Sequence, residues 1–401
     1  ILEGLNTSSL KDNTIVVYFS DHGANHLVRH KQMPTEGGLH VPFVLMGPGK
    51  WVPKQGARKD LVSTLDLTAT TLSWAGIKLP EWYEGRNLFA KDFEPRQWVA
   101  SAKDRLDHTI DRVRTIRTEK FRYTRNYKLD RILLQPQYRD GQDYLKNLKE
   151  LYAAGKLSDD LKRIYFGERP KEELYDVSKD PAQVNNLVGD PKFAKELNRH
   201  RKLLDTWLAK GDLGADEESP NALRHNGDTW QGGRGVNPEY EINRQDNDGD
   251  GLSDKWEKLN GRNPQDGRIA YEFDCGGWQT EGWQGRGIRD NIAGFQGFLQ
   301  FSLSGKPASL VRKGLKIKPH VSDQALLIKL RADAPVEIEA LANGKTLSSS
   351  VKVPAGNQVK EVRIPLSEKA NWKGVIKSLE IKLRGSDGTD LEIDAIEVKR
   401  A

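Results

Sequence analysis

Residues 13–49, NTIVVYFSDHGANHLVRHKQMPTEGGLHVPFVLMGPG, constrain this chain more than any other stretch. An apolar, β-branched run from Ile15 to Phe19 ends at Ser20, and Asp21, His22 and Gly23 follow at once. The run predicts a buried strand. An acid and an imidazole delivered at the carboxyl end of such a strand are a common way to build a site in an α/β protein. Asp and His offer oxygen and nitrogen donors to a divalent cation. Lys31 comes next, then the turn Glu36-Gly37-Gly38, then an extended Val41-Pro42-Phe43-Val44-Leu45. Asp-His-Gly alone is a frequent loop tripeptide. The ordered string, with Lys31 five residues before Glu36, is what gives it weight.

The bulk of the chain narrows the choice. At 401 residues it has room for two or three domains. No apolar run of about 18 residues occurs, so no membrane-spanning helix is expected. The single cysteine, Cys275, excludes an intrachain disulfide. A formal charge of +6 suits an anionic partner, but no nucleic-acid-binding motif accompanies it. The first residue is Ile1, with no basic region and apolar core of a signal peptide after it. The expectation is a chain that starts mid-protein, so a missing signal says nothing about export.

The 13–49 string resembles the sulfatase family, whose fold is similar to alkaline phosphatase. Its pattern is a strand, SDHG or SDNG, a lysine five residues before an EGG turn, and a VP strand. Further matches follow. Ser63, Asp66, Leu67 and Thr70 stand where the family has an S-x-x-D-L-x-P-T helix, with Ala69 replacing its proline. Ala75-Gly76-Ile77, Pro80 and Gly85-Arg86 come next, and ELYDVSKDPAQVNNL at 173–187 matches an ELYDL, DP, NL pattern. His26, Arg29, Gln32, His40 and the string from Asp104-Arg105 to Arg117-Thr118 resemble bacterial heparan N-sulfatase-like members. The likeness covers about residues 1–214 and implies an α/β alkaline-phosphatase-like domain with an antiparallel subdomain. It implies hydrolysis of sulfate esters or sulfamates of sulfated glycans, in the periplasm or outside the cell.

By the same resemblance, Asp21 and His22 are the second pair of active-site Ca²⁺ ligands, Asp21 also helps activate the nucleophile, and Lys31 contacts the sulfate. His26, Arg29 and His40 are candidates for the substrate side of the pocket or for plain loop surface, and Arg105 for the pocket or a structural ion-pair network. Asp111 and Arg112 read rather as a structural ion-pair network. The family's nucleophile is a formylglycine made within a C/S-x-P-S-R motif. That motif and the first pair of metal-binding acids are absent from these residues. The resemblance therefore implies the C-terminal portion of a sulfatase, inactive alone. One rival is a glycan- or calcium-binding module with a vestigial half-site. A related phosphatase or phosphodiesterase is disfavoured by Lys31 and the EGG turn.

Beyond residue 214 the chain changes character. Residues 215–245 are polar and read as a linker. DNDGDGLSDKWE at 246–257 fits D-x-D-x-D-G-x5-E. Asp246, Asp248 and Asp250 take loop positions 1, 3 and 5, Gly251 makes the sharp turn, and Leu252 offers its carbonyl. Asp254 stands at position 9, and Glu257 closes the set. With NGRNPQDG after it, this resembles thrombospondin type 3 or dockerin-like repeats and implies a structural Ca²⁺ loop over 246–267 that stiffens the linker. From 268 to 401, short alternating strands between Gly, Asn and Pro turns predict an all-β sandwich resembling jelly-roll accessory domains. Tyr271, Trp278, Trp283 and Phe295 could stack on sugar rings or form the sandwich core, and the core is the commoner fate.

Overall fold

The computed structural model describes residues 1–53, 56–106, 109–212, 218–229, 238–273, 280–366 and 371–401. The chain forms two compact units, Ile1–Asp216 and Glu217–Ala401. The formal +6 of the sequence lies in the first, since acids and bases balance in the second.

In the first unit, α1 (Leu2–Asn6) precedes β1 (Val16–Phe19), the one-turn α2 (Glu36–Leu39) and β2 (Phe43–Met46). β1 and β2 pair antiparallel, Phe19 opposite Phe43. The strand predicted to be buried is not. Tyr18 and Phe19 are 66% and 45% exposed. An apolar run records that a strand needs cover but not what supplies it. Among the described residues β1 has β2 as its neighbour, and every strand pair in this unit is antiparallel.

α3 (Thr64–Trp74) explains the Ser63–Asp66 spacing. The Ser63 hydroxyl and the Asp66 carboxylate close a capping box. Buried Asp66 also accepts from the Arg86 amide at 2.8 Å and from the Arg96 guanidinium at 2.5 Å. Gly85 is required where it stands, because a Cβ there would lie 2.4 Å from the Leu65 carbonyl oxygen.

β3 (Val99–Leu106), β4 (Thr109–Arg117), β5 (Phe121–Asn126) and β6 (Glu172–Asp176) form a four-stranded antiparallel sheet in that order. Alternation gives it two different faces. One, with Ile116, Tyr123 and Leu174, packs on Leu197 and Leu204 of α6 (Ala194–Leu208). The other carries Val113, Arg117, Arg122, Thr124 and Tyr175, matched across the strands by register. The helical stretch expected over 140–165 is two helices, α4 (Asp143–Ala153) and α5 (Asp159–Phe166), parted at Gly155 with φ +67°.

The second unit corrects the expected linker. Its described part holds α7 (Pro220–Thr229) and α8 (Pro238–Asn243), and α9 (Asp254–Leu259) follows the acidic loop. Beyond them lie two six-stranded antiparallel sheets. The central strands are Asp323–Ala332 and Asp387–Arg400 in one, Val336–Ala342 and Ile376–Arg384 in the other. Ile328, Ile393, Ile338 and Ile381, from both sheets, sit in one continuous core, which is how sandwiched sheets bury their inner faces. Tyr271 and Trp283 belong to that core, at 0% and 2% exposure. They pack edge to face with centroids 5.6 Å apart and offer no face to a sugar. Phe295 is 44% exposed. Cys275, Trp278, Asp107 and His108 lie outside the described residues.

Candidate functional site

The Ser20–His40 segment is a loop locked by glycine. A Cβ on Gly23 would lie 1.7 Å from the Gly37 carbonyl oxygen, and one on Gly38 would lie 2.0 Å from that of Met33. The Gly23 amide donates to the Gly38 carbonyl at 3.0 Å. The SDHG and EGG turns are thus one packed object, which explains why the glycines accompany the charged residues.

Asp21 and His22 stand together. His22 Nδ1 lies 2.7 Å from the Gly23 carbonyl oxygen. A carbonyl only accepts, so Nδ1 is the donor there and Nε2 is the nitrogen left to face Asp21. That Nε2 is 3.5 Å from Asp21 Oδ2, and the Asp21 side chain is 80% exposed. Two ligands about 2.4 Å from one cation, roughly at right angles, lie about 3.4 Å apart. The pair fits two neighbouring positions on a divalent ion, facing outward.

The rest of the loop is held by residues far along the chain. Buried Arg139 donates to the carbonyls of Asn25, at 3.1 Å, and Lys31, at 3.3 Å. Arg29 Nη1 donates to the carbonyls of Ala182 and Gln183, at 2.8 and 2.9 Å, so this part of the guanidinium anchors the loop. Glu36 is buried and bound by two arginines of the sheet, Arg117 Nε at 2.8 Å and Arg122 Nη2 at 2.6 Å. Burial pushes its carboxyl up, but the two guanidiniums outweigh that and hold it below its ordinary value. The ammonium of Lys31 lies 5.6 Å from the Tyr138 ring centroid. His26 meets the edge of Tyr144, and His40 Nδ1 lies 3.6 Å from Glu36 Oε2. Arg105 is on β3 opposite Ile110, on the sheet and not on this loop.

The Asp104–Thr118 string is largely an ion-pair network, as expected for Asp111 and Arg112. Asp111 binds Lys103 and Arg169 in the interior, at 2.7 and 2.6 Å. Asp212 binds Arg112 and Arg114, at 2.9 and 2.7 Å. Arg139 and Gln183 were not singled out from sequence, and Glu36 was only as part of the EGG turn. Only Glu36 carried a signal there, as an acid in front of two glycines.

The acidic loop is a second, closed site. Carboxylate oxygens of Asp246, Asp248 and Asp250 lie within 4.8 Å of one another. Asp250 and Glu257 are buried, and Asp250 Oδ2 and Glu257 Oε2 have no hydrogen-bond partner. Burial first, then neighbouring carboxylates, push Asp250 up to about 9 and Glu257 up to about 8. Near neutral pH Asp250 and Glu257 therefore resist ionising until a further cation sits among them. Oxygens at that spacing match a Ca²⁺ with ligands about 2.3–2.6 Å away. The loop backbone is set for it, with the Gly251 amide donating to Asp246 at 3.2 Å and Gly251 at φ +91°. Asp254 is placed differently. Both of its oxygens accept from Asn247, from the backbone amide at 2.9 Å and from Nδ2 at 2.5 Å. The loop is built into the second unit. Tyr271 donates to the Asp250 carbonyl at 2.7 Å, the Lys316 amide to the Gly249 carbonyl at 2.7 Å, and Arg224 to Asp246 at 2.7 Å.

Comparison with known proteins adds to this geometry. Residues 1–77 match the family model for sulfatases. An ulvan-active sulfatase of Formosa agariphila is 31% identical over 224 residues, 55% of this chain and 37% of that protein. A delta 4,5-hexuronate-2-O-sulfatase of Bacteroides thetaiotaomicron is 28% identical over 215 residues, 52% of this chain and 38% of the enzyme. A solved 2-O glycosaminoglycan sulfatase is 25% identical over 54% of this chain and 40% of its own, with a TM-score of 0.38. The chain thus spans less than two fifths of the length of these two curated relatives.

Proposed function

We propose that this chain supplies part of a sulfatase that hydrolyses sulfate esters or sulfamates of sulfated glycans, secreted to the periplasm or beyond the cell, on an alkaline-phosphatase-like frame. The observation that carries the reading is the Asp21–His22 pair, with Nε2 beside the carboxylate, on the same glycine-locked loop as Lys31. The match of residues 1–77 to sulfatases supports it, as do relatives named for ulvan and hexuronate sulfates. None of the described helices is long and apolar enough to cross a membrane.

Asp21 and His22 Nε2 would hold Ca²⁺, which neutralises sulfate oxygens when bound. Lys31 adds a compact positive charge where negative charge develops on those oxygens. Asp21 also stands ready to take a proton from the nucleophile. His26 and His40, on the same loop, and Arg105 are candidates to face the sugar. The nucleophile, a formylglycine in related enzymes, comes from outside these residues, because no C/S-x-P-S-R motif occurs in them. A second Ca²⁺ in the acidic loop is structural, held by Asp246, Asp248, Asp250, the Leu252 carbonyl and Glu257, with Asp254 as an outer contributor.

The test has two parts. The purified 401-residue chain is expected to release no sulfate from an aryl sulfate. In the longer protein that includes a formylglycine motif, Asp21→Ala, His22→Ala and Lys31→Ala should each lower turnover, the first two more steeply at limiting calcium. Wild-type rates in all three variants would remove these residues from the active site, and no sulfate release by the longer protein would favour the binding-module reading.

A further inference from the structure

Behind the Lys31 loop, in the first unit, lies a cavity of about 320 Å³. One side is the sheet face of Val113, Thr124, Asn126, Glu173 and Tyr175. Opposite stand Arg29 and Met33–Thr35 of the loop, and α5 contributes Arg163 and Ile164. Asp21, His22 and Lys31 do not line it.

Its polar groups are unbalanced. The Glu173 carboxylate is taken up by Asn126 Nδ2 at 2.6 Å and by the Tyr175 hydroxyl at 2.7 Å. Gln183 Oε1 accepts from the Glu36 amide at 2.7 Å, and Asn186 Oδ1 from the Leu174 amide at 3.0 Å. Donors are left over. Arg29 Nε and Arg169 Nε are buried without an acceptor. The Arg169 side chain is 3% exposed. Lys103 shares Asp111 with Arg169, Arg163 reaches Asp160 at 2.7 Å, and Glu168 lines the wall as a second acid, while Met33, Val113, Leu133 and Ile164 make much of the rest apolar. Two spare guanidinium donors among apolar walls, in a cavity near the lower end of the usual ligand-site range, suit one small ligand with an acidic group on a compact body.

We infer that this cavity binds a small organic anion, a carboxylate or sulfate ester carried on a single sugar-sized ring, with its acidic group drawn to Arg29 and Arg169. Because Arg29 and Met33–Thr35 form one wall, occupancy firms the loop that presents Lys31. The inference does not depend on the hydrolase reading, since it concerns binding to residues of the first unit.

Calorimetry and hydrogen–deuterium exchange on the 401-residue chain test it with glucuronate, inorganic sulfate and glucose as probes. Glucuronate should bind one to one and slow exchange over residues 29–35 and 163–170. Glucose should do neither, and inorganic sulfate should bind at least about tenfold more weakly for want of apolar contact. Ile164→Trp, filling the cavity, should abolish binding while circular dichroism shows the fold retained. Arg163→Gln should weaken binding severalfold. Equal binding of glucose, equal binding of inorganic sulfate, protection elsewhere in the chain, or no glucuronate heat in the unmodified protein would each overturn the proposal. None of these readouts uses sulfate release, so glucuronate binding sustains this inference even where the longer protein with its formylglycine motif proves inactive and the hydrolase reading fails.

Discussion

Two loops of this protein are proposed to hold a divalent cation, and their carboxylates are placed in opposite ways. In the 20–40 loop the ligand atoms face outward, with Asp21 80% exposed. The packing effort goes into Gly23, Gly37 and Gly38 behind them. In the 246–257 loop the ligands themselves are inside, with Asp250 at 0% and Glu257 at 2% exposure. Metal sites divide along this line. Catalytic sites keep open positions for substrate, while structural ones surround the ion with protein. The first loop should therefore be stable without a cation and work only with one. The second should need a cation to be stable at all.

The sharpest way to break that contrast is to attack the support of the open loop. Glu36 holds it to the sheet through Arg117 and Arg122. Glu36→Ala would leave Arg122, 4% exposed, buried and unpaired. Removing one partner of a buried pair costs about 3–5 kcal/mol. The thermal midpoint of the first unit should drop sharply, and that of the second should not move. A variant that keeps its midpoint would show that the glycine packing alone holds the loop.

Calcium removal should come next in size and fall on the second unit only. A ligand bound to the folded state at a hundred times its Kd stabilises by about 2.7 kcal/mol. Tyr271 and Lys316 bond the loop to the β-domain, so chelation should lower the β-domain's own melting temperature as well as expose residues 218–267 to protease. Equal melting with and without chelator would mean that the buried acids are held by protons. Binding near neutral pH should also release protons, because Asp250 and Glu257 are pushed up to about 9 and about 8 without metal.

Acid should separate the units in a third way. Burial raises Asp111, but Lys103 and Arg169 outweigh it and hold the group at about 2, below its ordinary 3.8. A carboxyl whose folded value is depressed stabilises fully above the unfolded value and loses that contribution as pH falls through the folded one. The first unit should weaken progressively from about pH 4 to about pH 2, followed by near-ultraviolet circular dichroism. Asp111→Asn should flatten that dependence while lowering stability at neutral pH.

The residues differ in how much of this was legible. The Asp21–His22–Gly23 and Glu36-Gly37-Gly38 turns were readable because their spacing is local, and the structure packs them against each other. The capping box of Ser63 and Asp66 was readable for the same reason. Glu36 to Arg122 was not, because that contact depends on strand register and on how the loop folds back over 86 residues. The exposed face of β1 escaped because periodicity reports burial without naming the covering element. α7 and α8 escaped because polar, glycine-rich sequence gave little helical pattern, and their neighbours are the acidic loop and α9. The core fate of Tyr271 and Trp283 was favoured, but sequence alone could not choose it, since aromatics at strand ends serve both roles.

The smallest expected effect tests the closed site from within. Sequence spacing places Asp250 and Asp254 equally on the ligand set, at positions 5 and 9. The structure separates them. Asp250 Oδ2 is buried without a partner beside the other carboxylates, whereas both Asp254 oxygens are occupied by Asn247. Asp254 also starts α9, where a carboxylate favours the helix whether or not a cation is present. In the proposed site its contribution is therefore outer, through the loop backbone it steadies. Asp254→Asn keeps the shape and an oxygen acceptor for the Asn247 amide, so calcium affinity should fall by about tenfold, the low end for an outer-contact residue. Asp250→Asn removes a ligand charge from the centre and should cost clearly more. Calorimetry on the two variants side by side reads the difference. If Asp254→Asn weakens binding as much as Asp250→Asn, Asp254 turns from Asn247 to the metal on binding, and the loop rearranges where the structure has it already formed.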